Sequence, residues 1–357
     1  MLSFYPGPSK VYPESLGYIA EAYQSGVLSI NHRSPAFEAL MQDTLDRLHN
    51  QWQIPQDYRL YFVSSATEAW EITLYSLVKA QSLHAHSGAF GKKWAFYAQH
   101  WSPKAHAFAF DVQHALKDQW NGLPSAAGQA DLWCLVHSET SNGSLCSIQR
   151  SDLPMAPEAL LAVDATSSLG GMQLPWEQAD VWLASVQKCL GLPAGLGLMI
   201  CSPKALERAQ ALGRRDRYNS LLLLDENHQK FQTHYTPNVL GIYLLNRMQH
   251  QLPSLDKVHE ETLKKQQHWR DFWQGMDLPF AYLVEDAALQ LPTVLALKAE
   301  APWVEGLLTY AQHQGITLGK GYGPWQGNTL RIANFPQHTW DDIEQLQTII
   351  QQYRHEI

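Results

Sequence analysis

Cysteine is scarce in this chain and charge is dilute: 357 residues include only 4 Cys, and Asp, Glu, Lys and Arg make up 17%. Four thiols (Cys134, Cys146, Cys189, Cys201) without a Cys-x-x-Cys pair cannot form the disulfide framework of a secreted scaffold. They read as small buried hydrophobes in a reducing cytoplasm. No basic run exceeds a pair or two, and 34 acidic against 26 basic residues leave a net charge of −8. Binding nucleic acid requires clustered Lys and Arg, so that class is excluded. Long apolar runs are missing as well. The stretch from Leu190 to Cys201 is broken by Gly and Pro and falls short of a membrane span. The N-terminus has no basic region and breaks at Pro6-Gly7-Pro8, which predicts no leader segment.

Several chemistry-bearing motifs are also missing. Gly88-Ala89-Phe90-Gly91-Lys92-Lys93 lacks the glycine spacing and the Ser or Thr of a phosphate-binding loop. It reads as a helix stop and a turn before a strand at Trp94–Tyr97. No Gly-x-Ser-x-Gly elbow is present. Neither His84 with His86 nor His100 with His106 gains a third ligand at suitable spacing, so no metal is expected.

What is present is a large apolar fraction, 45%, enough for one big core or two. Ser34-Pro35 opens a helix whose Phe37, Leu40, Met41, Leu45 and Leu48 share one face. Strands follow at Arg59–Val63, Leu132–His137, Leu160–Asp164, Val181–Ser185 and Leu196–Cys201. They are continuous apolar runs rather than alternations, the pattern of a mostly parallel sheet covered on both faces. Helices over Asn238–Leu252 and Leu255–Met276 flank Pro253. Beyond them come a strand at Leu291–Leu297, a helix at Trp303–Gln314, a strand at Thr329–Ile332 and a helix at Asp341–Tyr353. The chain divides into a large α/β unit, residues 16–252, and a small α+β unit from residues 1–15 and 253–357.

Asp164 and Lys188 each sit directly after an apolar strand, where sites of parallel α/β sheets form. An Asp and a Lys are what pyridoxal phosphate demands: an amine for its aldehyde and a carboxylate to keep its pyridine nitrogen protonated. A buried Asp–Lys ion pair satisfies the same spacing. Ser64-Ser65-Ala66-Thr67, between a strand and a helix, can cradle a phosphate or serve as an ordinary N-cap. Trp101 can stack on a cofactor ring or belong to the core.

With these residues in view, the chain resembles the class V, fold-type I pyridoxal-phosphate aminotransferases, and among them the phosphoserine aminotransferase branch. The resemblance runs through Phe4-Tyr5-Pro6-Gly7-Pro8, Ile30–Phe37, Ser64–Thr67, Trp101, Glu139-Thr140-Ser141-Asn142-Gly143, Val163-Asp164, Gln187-Lys188, Tyr235-Thr236-Pro237-Asn238 and Leu330-Arg331-Ile332. It implies a mainly parallel seven-stranded sheet in the large domain and a small α+β domain. It assigns Lys188 as the Schiff-base lysine and proton shuttle, Asp164 as the pyridinium partner and Trp101 as the stacking aromatic. Thr140 would bond the cofactor's phenolic oxygen; Ser65, Ala66, Thr67 and Gln187 would hold its phosphate, with Tyr235 and Thr236 reaching in from a second subunit of a homodimer. Arg331 would take the substrate α-carboxylate. His32 and Arg33 of the partner would reach the distal anion. Thr67 stands where the branch carries an Arg that also grips the substrate phosphate.

The activity implied is ping-pong transamination between an amino acid and a 2-oxo acid, O-phosphoserine and 2-oxoglutarate first. A serine or alanine–glyoxylate transaminase is the alternative within the class, and a non-catalytic binding protein the alternative outside it. Cysteine desulfuration requires a late nucleophilic Cys, whereas the last one here is Cys201.

Overall fold

The computed structural model describes residues 2–356. The N-terminal part comprises β1 (Leu2–Phe4), α1 (Ser15–Gln24) and α2 (Pro35–Trp52). Next come β2 (Arg59–Val63), α3 (Ala66–Leu77), β3 (Ser82–His86), α4 (Ala89–Trp101), β4 (Ala105–Ala109) and the single turn α5 (Ser125–Gly128). The middle of the chain holds β5 (Leu132–Val136), β6 (Ser138–Glu139), β7 (Ser144–Leu145), β8 (Leu160–Asp164), β9 (Val181–Ser185) and β10 (Gly197–Cys201). Helices α6 (Pro203–Leu212), α7 (Leu221–His228), α8 (Val239–Gln249) and α9 (Leu255–Gly275) follow. The chain ends with β11 (Ala281–Tyr282), β12 (Val294–Lys298), α10 (Ala301–His313), β13 (Ile316–Lys320), β14 (Thr329–Ala333) and α11 (Trp340–Glu356).

Seven strands form one sheet in the order β2-β10-β9-β8-β5-β3-β4. Neighbours from β9 through β4 are parallel, whereas β10 runs antiparallel to both β2 and β9. Each central strand sends alternate residues to two separate cores. Leu161, Val163, Trp182 and Ala184 pack with α2 and α8 on one face. Leu160, Ala162, Val181 and Leu183 pack with α3, α4, α6 and α7 on the other. Burial on both faces is why these strands read as unbroken apolar runs. The same burial explains why β10, though equally apolar, gave no sign of its antiparallel direction. At about 25 cal/mol per Å² of apolar surface removed from water, such double-sided burial is the main drive to this layer.

The second sheet, β1-β13-β14-β12-β11, joins the two ends of the chain, with β1 parallel to β13 and its other pairings antiparallel. Its core collects Phe4, Trp269, Leu295, Leu307, Leu330 and Ile350. All four cysteines are free and buried.

One segment departs from expectation. Trp94–Tyr97 is not a strand but the middle of α4, and Gly88 is the N-cap of that helix rather than a stop. Gly91, Trp94, Ala95 and Ala98 are its buried residues, at the three- and four-residue spacing of a helix face. The true strands on either side, β3 and β4, had escaped notice. β3 carries Ser82 and His84 inward, bonded to each other at 3.1 Å, so its sequence looks polar. β4 is an edge strand, half exposed.

Candidate active site

Chain segments leaving β2, β5, β8 and β9 converge on one edge of the seven-stranded sheet. They line a cleft with Ala66, Thr67, Trp70, Phe90, Val136, Ser138, Thr140, Asp164, Thr166, Ser185, Gln187 and Lys188. Both Asp164 and Lys188 are buried there. They are not joined as an ion pair: Lys188 Nζ donates to Thr140 Oγ1 at 2.6 Å and to Ser167 Oγ at 3.0 Å. Asp164 instead accepts from Trp70 Nε1 at 2.8 Å and from the backbone N–H of Thr166 at 2.9 Å. Burial lowers the Lys188 pKa to about 8, against the opposing pull of Asp164 and Glu139. A lysine so placed gives up its proton, and becomes a nucleophile, around pH 8 rather than above pH 10.

Helix α3 presents its first turn to the cleft. Ser65 caps it, taking the N–H of Glu68 at 3.1 Å, and the N–H of Ala66 donates to Ser185 Oγ at 2.7 Å. No group among the described residues accepts from the N–H of Thr67, one of the donors a helix N-terminus leaves over. Gly197 allows the close approach: a Cβ there would lie 2.5 Å from the carbonyl carbon of Ser65.

Across the cleft stands Phe90, in the first turn of α4. Lys188 Nζ lies 4.9 Å from the centroid of its ring. Glu139 fixes this helix end: its buried carboxylate accepts from the N–H of Phe90 at 3.4 Å and of Gly91 at 3.1 Å. The hydroxyl of Ser141 takes the N–H of Ala89 at 2.9 Å. Burial raises the Glu139 pKa, and these hydrogen bonds oppose the rise.

Arg331, on β14, closes the far side. Its Nε donates to the carbonyl oxygen of Lys320 at 2.9 Å and its Nη1 to that of Thr140 at 3.0 Å. The guanidinium is buried, which lowers its pKa. The chain's N-terminal segment lies over the same space, with Gly7 against the Lys188 side chain and the N–H of Ser9 donating to the carbonyl of Gln187 at 3.2 Å.

A family model for aminotransferase class-V matches residues 4–325. The chain belongs to the class-V aminotransferases. Among curated relatives, the phosphoserine aminotransferase of Corynebacterium glutamicum (strain R) is 27% identical over 350 residues, covering 95% of this chain and 91% of its own length. A putative phosphoserine aminotransferase of Mycobacterium sp. (strain KMS) is 30% identical over 353 residues, covering 96% and 93%. The crystal structure of a phosphoserine aminotransferase from Cytophaga hutchinsonii superposes with a TM-score of 0.91 at 28% identity, over 98% of both chains.

As a class-V aminotransferase of fold-type I, the protein is a pyridoxal-phosphate-dependent transaminase. The cleft suits that cofactor. It offers a buried amine of lowered pKa, a carboxylate oriented by two donors, an aromatic face and a helix N-terminus with a spare N–H. Thr166 Oγ1 is buried in the cleft wall with no hydrogen-bond partner among the described residues.

Of the aromatic residues, Trp101 is not in this aminotransferase site. It is the last residue of α4 and packs, half-buried, on the core behind the sheet. Eleven residues of helix, roughly 16 Å, separate it from Phe90. Reading Trp94–Tyr97 as a strand put the wrong end of α4 at the sheet edge. Phe90 takes the place instead, and the buried spacing of Gly91, Trp94, Ala95 and Ala98 was the signal that identifies the helix. Ser65, Ala66, Thr67, Thr140, Gln187 and Arg331 are gathered around Lys188 and Asp164. His32 and Arg33 lie in the turn before α2, outside the cleft of their own protomer, His32 half-buried and Arg33 exposed. Tyr235 packs near Phe62, and its ring meets Tyr218 edge-on at 6.2 Å, with Thr236 exposed beside it. Trp70 and Ser167 are site residues the sequence reading missed: Trp70 sits inside α3, away from any strand end, and Ser167, three residues after the end of β8, was given no role beside Asp164.

Proposed function

We propose that the protein transfers the amino group of O-phosphoserine to 2-oxoglutarate, in serine biosynthesis. The observation that carries this reading is the similarity to phosphoserine aminotransferases across nearly the whole chain. When bound, pyridoxal phosphate supplies an electron sink that makes the substrate's Cα–H acidic and carries the amino group between two half-reactions. Lys188 would hold the cofactor through its amine, and the same amine would serve as the base for the substrate's Cα proton. Asp164, oriented by Trp70 and Thr166, would keep a proton at the pyridine nitrogen. Ala66, Thr67 and Gln187, with Ser65 capping the helix, would hold the phosphate, Thr140 the phenolic oxygen and Phe90 the ring face. Arg331 offers its remaining N–H groups to the α-carboxylate in a bidentate pair.

His32, Arg33, Tyr235 and Thr236 belong to the same proposal as contributions from a second copy, in a cytoplasmic homodimer. Leu16, Ile19 and Tyr23 form an exposed apolar stripe along α1, with Leu28 beside it, and support such an interface. The division of the chain at residues 252 and 253 into a cofactor-binding part and a smaller part rests on the two sheets. One observation favours a second reading, a serine or alanine–glyoxylate transaminase. Thr67 stands where the branch carries an Arg, which leaves Lys188 and Arg331 as the cations at the cleft among the described residues.

The test is a panel of amino donors mixed with the loaded enzyme in single turnover, followed by cofactor absorbance. Phosphoserine should convert the cofactor to its amine form faster than alanine, serine or glutamate analogues lacking a distal anion. Conversion by alanine without conversion by phosphoserine would exclude the first reading in favour of the second.

A further inference from the structure

Tyr322 lies in the turn between β13 and β14, flanked by Gly321 and Gly323. The turn has little freedom: a Cβ on Gly321 would stand 2.0 Å from the carbonyl oxygen of Trp325, and Gly323 has a φ of +62°. Held there, the Tyr322 ring stacks on Phe90 with centroids 5.4 Å apart and planes 6° from parallel. The guanidinium carbon of Arg331 is 5.8 Å from the centroid of that same ring. A row therefore runs Lys188, Phe90, Tyr322, Arg331. It closes on itself at Thr140, whose hydroxyl accepts from Lys188 and whose carbonyl accepts from Arg331.

Arg331 is buried, yet it bonds to the carbonyls of Lys320 and Thr140 and to the side chain of Tyr5, and among the described residues no carboxylate pairs with it. Its charge is left for a ligand, and the π-face of Tyr322 adds to these hydrogen bonds in keeping the guanidinium plane in one orientation until the ligand arrives. Tyr322 itself remains 43% exposed, at the mouth of the cleft. An aromatic residue that touches the proposed carboxylate site on one side and the cofactor-facing Phe90 on the other links the two.

We propose that Tyr322 is a positioning residue for the substrate: its ring fixes the Arg331 guanidinium for the α-carboxylate and backs Phe90 in the same contact. The proposal rests on the reading that Arg331 takes that carboxylate. The ring is the active part, since both Phe90 and Arg331 meet the ring itself.

The experiment titrates succinate, a dicarboxylate that cannot transaminate, into the loaded enzyme by calorimetry, for wild type, Tyr322→Ala, Tyr322→Phe and Arg331→Lys. A cation–π contact of this kind predicts that Tyr322→Ala weakens succinate by about fivefold. Tyr322→Phe should recover wild-type affinity. In steady state with any accepted amino donor, Tyr322→Ala should raise KM more than it lowers kcat. Loss of affinity in Arg331→Lys with none in Tyr322→Ala overturns the role of Tyr322 while leaving the Arg331 reading intact. No loss in either variant overturns both. A Tyr322→Phe variant as weak as Tyr322→Ala overturns the ring-stacking basis.

Discussion

Asp164 accepts the indole N–H of Trp70 at 2.8 Å, so a residue of helix α3 aims the carboxylate at the end of β8. Trp70 is itself fixed, stacked on Trp94 at 5.5 Å with planes 10° apart. A hydrogen bond to a charged group contributes about 1.5–3 kcal/mol, and among the described residues the backbone N–H of Thr166 is the only other donor to Asp164. Trp70→Phe keeps a ring in the core but removes the donor. Cofactor affinity should fall by about tenfold or more on that scale, measured as the dissociation constant of pyridoxal phosphate. Affinity equal to wild type would mean that Thr166 alone orients the carboxylate.

Phe90 and Trp101 sit at opposite ends of one helix, and substitution of each separates the two assignments of the stacking aromatic. Phe90→Ala removes the ring beside Lys188 and should weaken cofactor binding by about tenfold, from the loss of an aromatic contact and its burial. Trp101→Ala should leave the cofactor's absorbance and affinity alone and lower the unfolding free energy by about 1–3 kcal/mol, as expected for a half-buried core side chain. The reverse pattern would restore Trp101 to the site.

The contrast between those residues marks what was legible in the chain. Asp164 and Lys188 could be found because each follows a strand buried on both faces, where apolar runs are unmistakable. Arg331 was found on the family pattern around it, and the structure brings it to the same cleft. Phe90 was missed because the order of elements around it was misread: β3 hides its polarity in a Ser82–His84 hydrogen bond, and α4 begins at a glycine without a side-chain cap. Tyr322 was not found, and Gly7 was seen only as part of the family pattern Phe4-Tyr5-Pro6-Gly7-Pro8, without a role at the site. They reach the site from the second sheet and the N-terminal segment, by contacts that no local spacing encodes.

Gly7 is the closest of these contacts. Its φ is +140°, and a Cβ added there would lie 2.8 Å from Lys188 Cε. Gly7→Ala must either move the N-terminal segment or push the lysine, and the backbone alone costs about 1–3 kcal/mol in that conformation. The expected outcome is a modest drop in melting temperature together with slower uptake of cofactor by the cofactor-free protein, followed by absorbance. Uptake at the wild-type rate would show that the segment does not rest on Lys188 in solution.

Lys188 ties stability and reactivity to the same proton. With its pKa lowered to about 8 by burial, the amine becomes reactive through pH 8 rather than through 10.5. Uptake of pyridoxal phosphate by the cofactor-free protein should therefore rise with a midpoint near pH 8, and a midpoint near 10 would contradict the burial seen here. The effect on folding has the matching sign. Below pH 8 the amine is charged in folded and unfolded chains alike, and the folded chain bears the full cost of burying the charge. Between 8 and 10.5 only the unfolded chain keeps the proton, so stability rises with pH; above 10.5 the cost is gone. Lys188→Met removes the amine at similar volume. It should stabilise the cofactor-free protein at pH 7 by roughly 3 kcal/mol, from one pKa unit being about 1.4 kcal/mol. The advantage should shrink as denaturation is repeated at rising pH. A Met variant no more stable than wild type at pH 7 would mean that Thr140 and Ser167 already offset the burial of the charge.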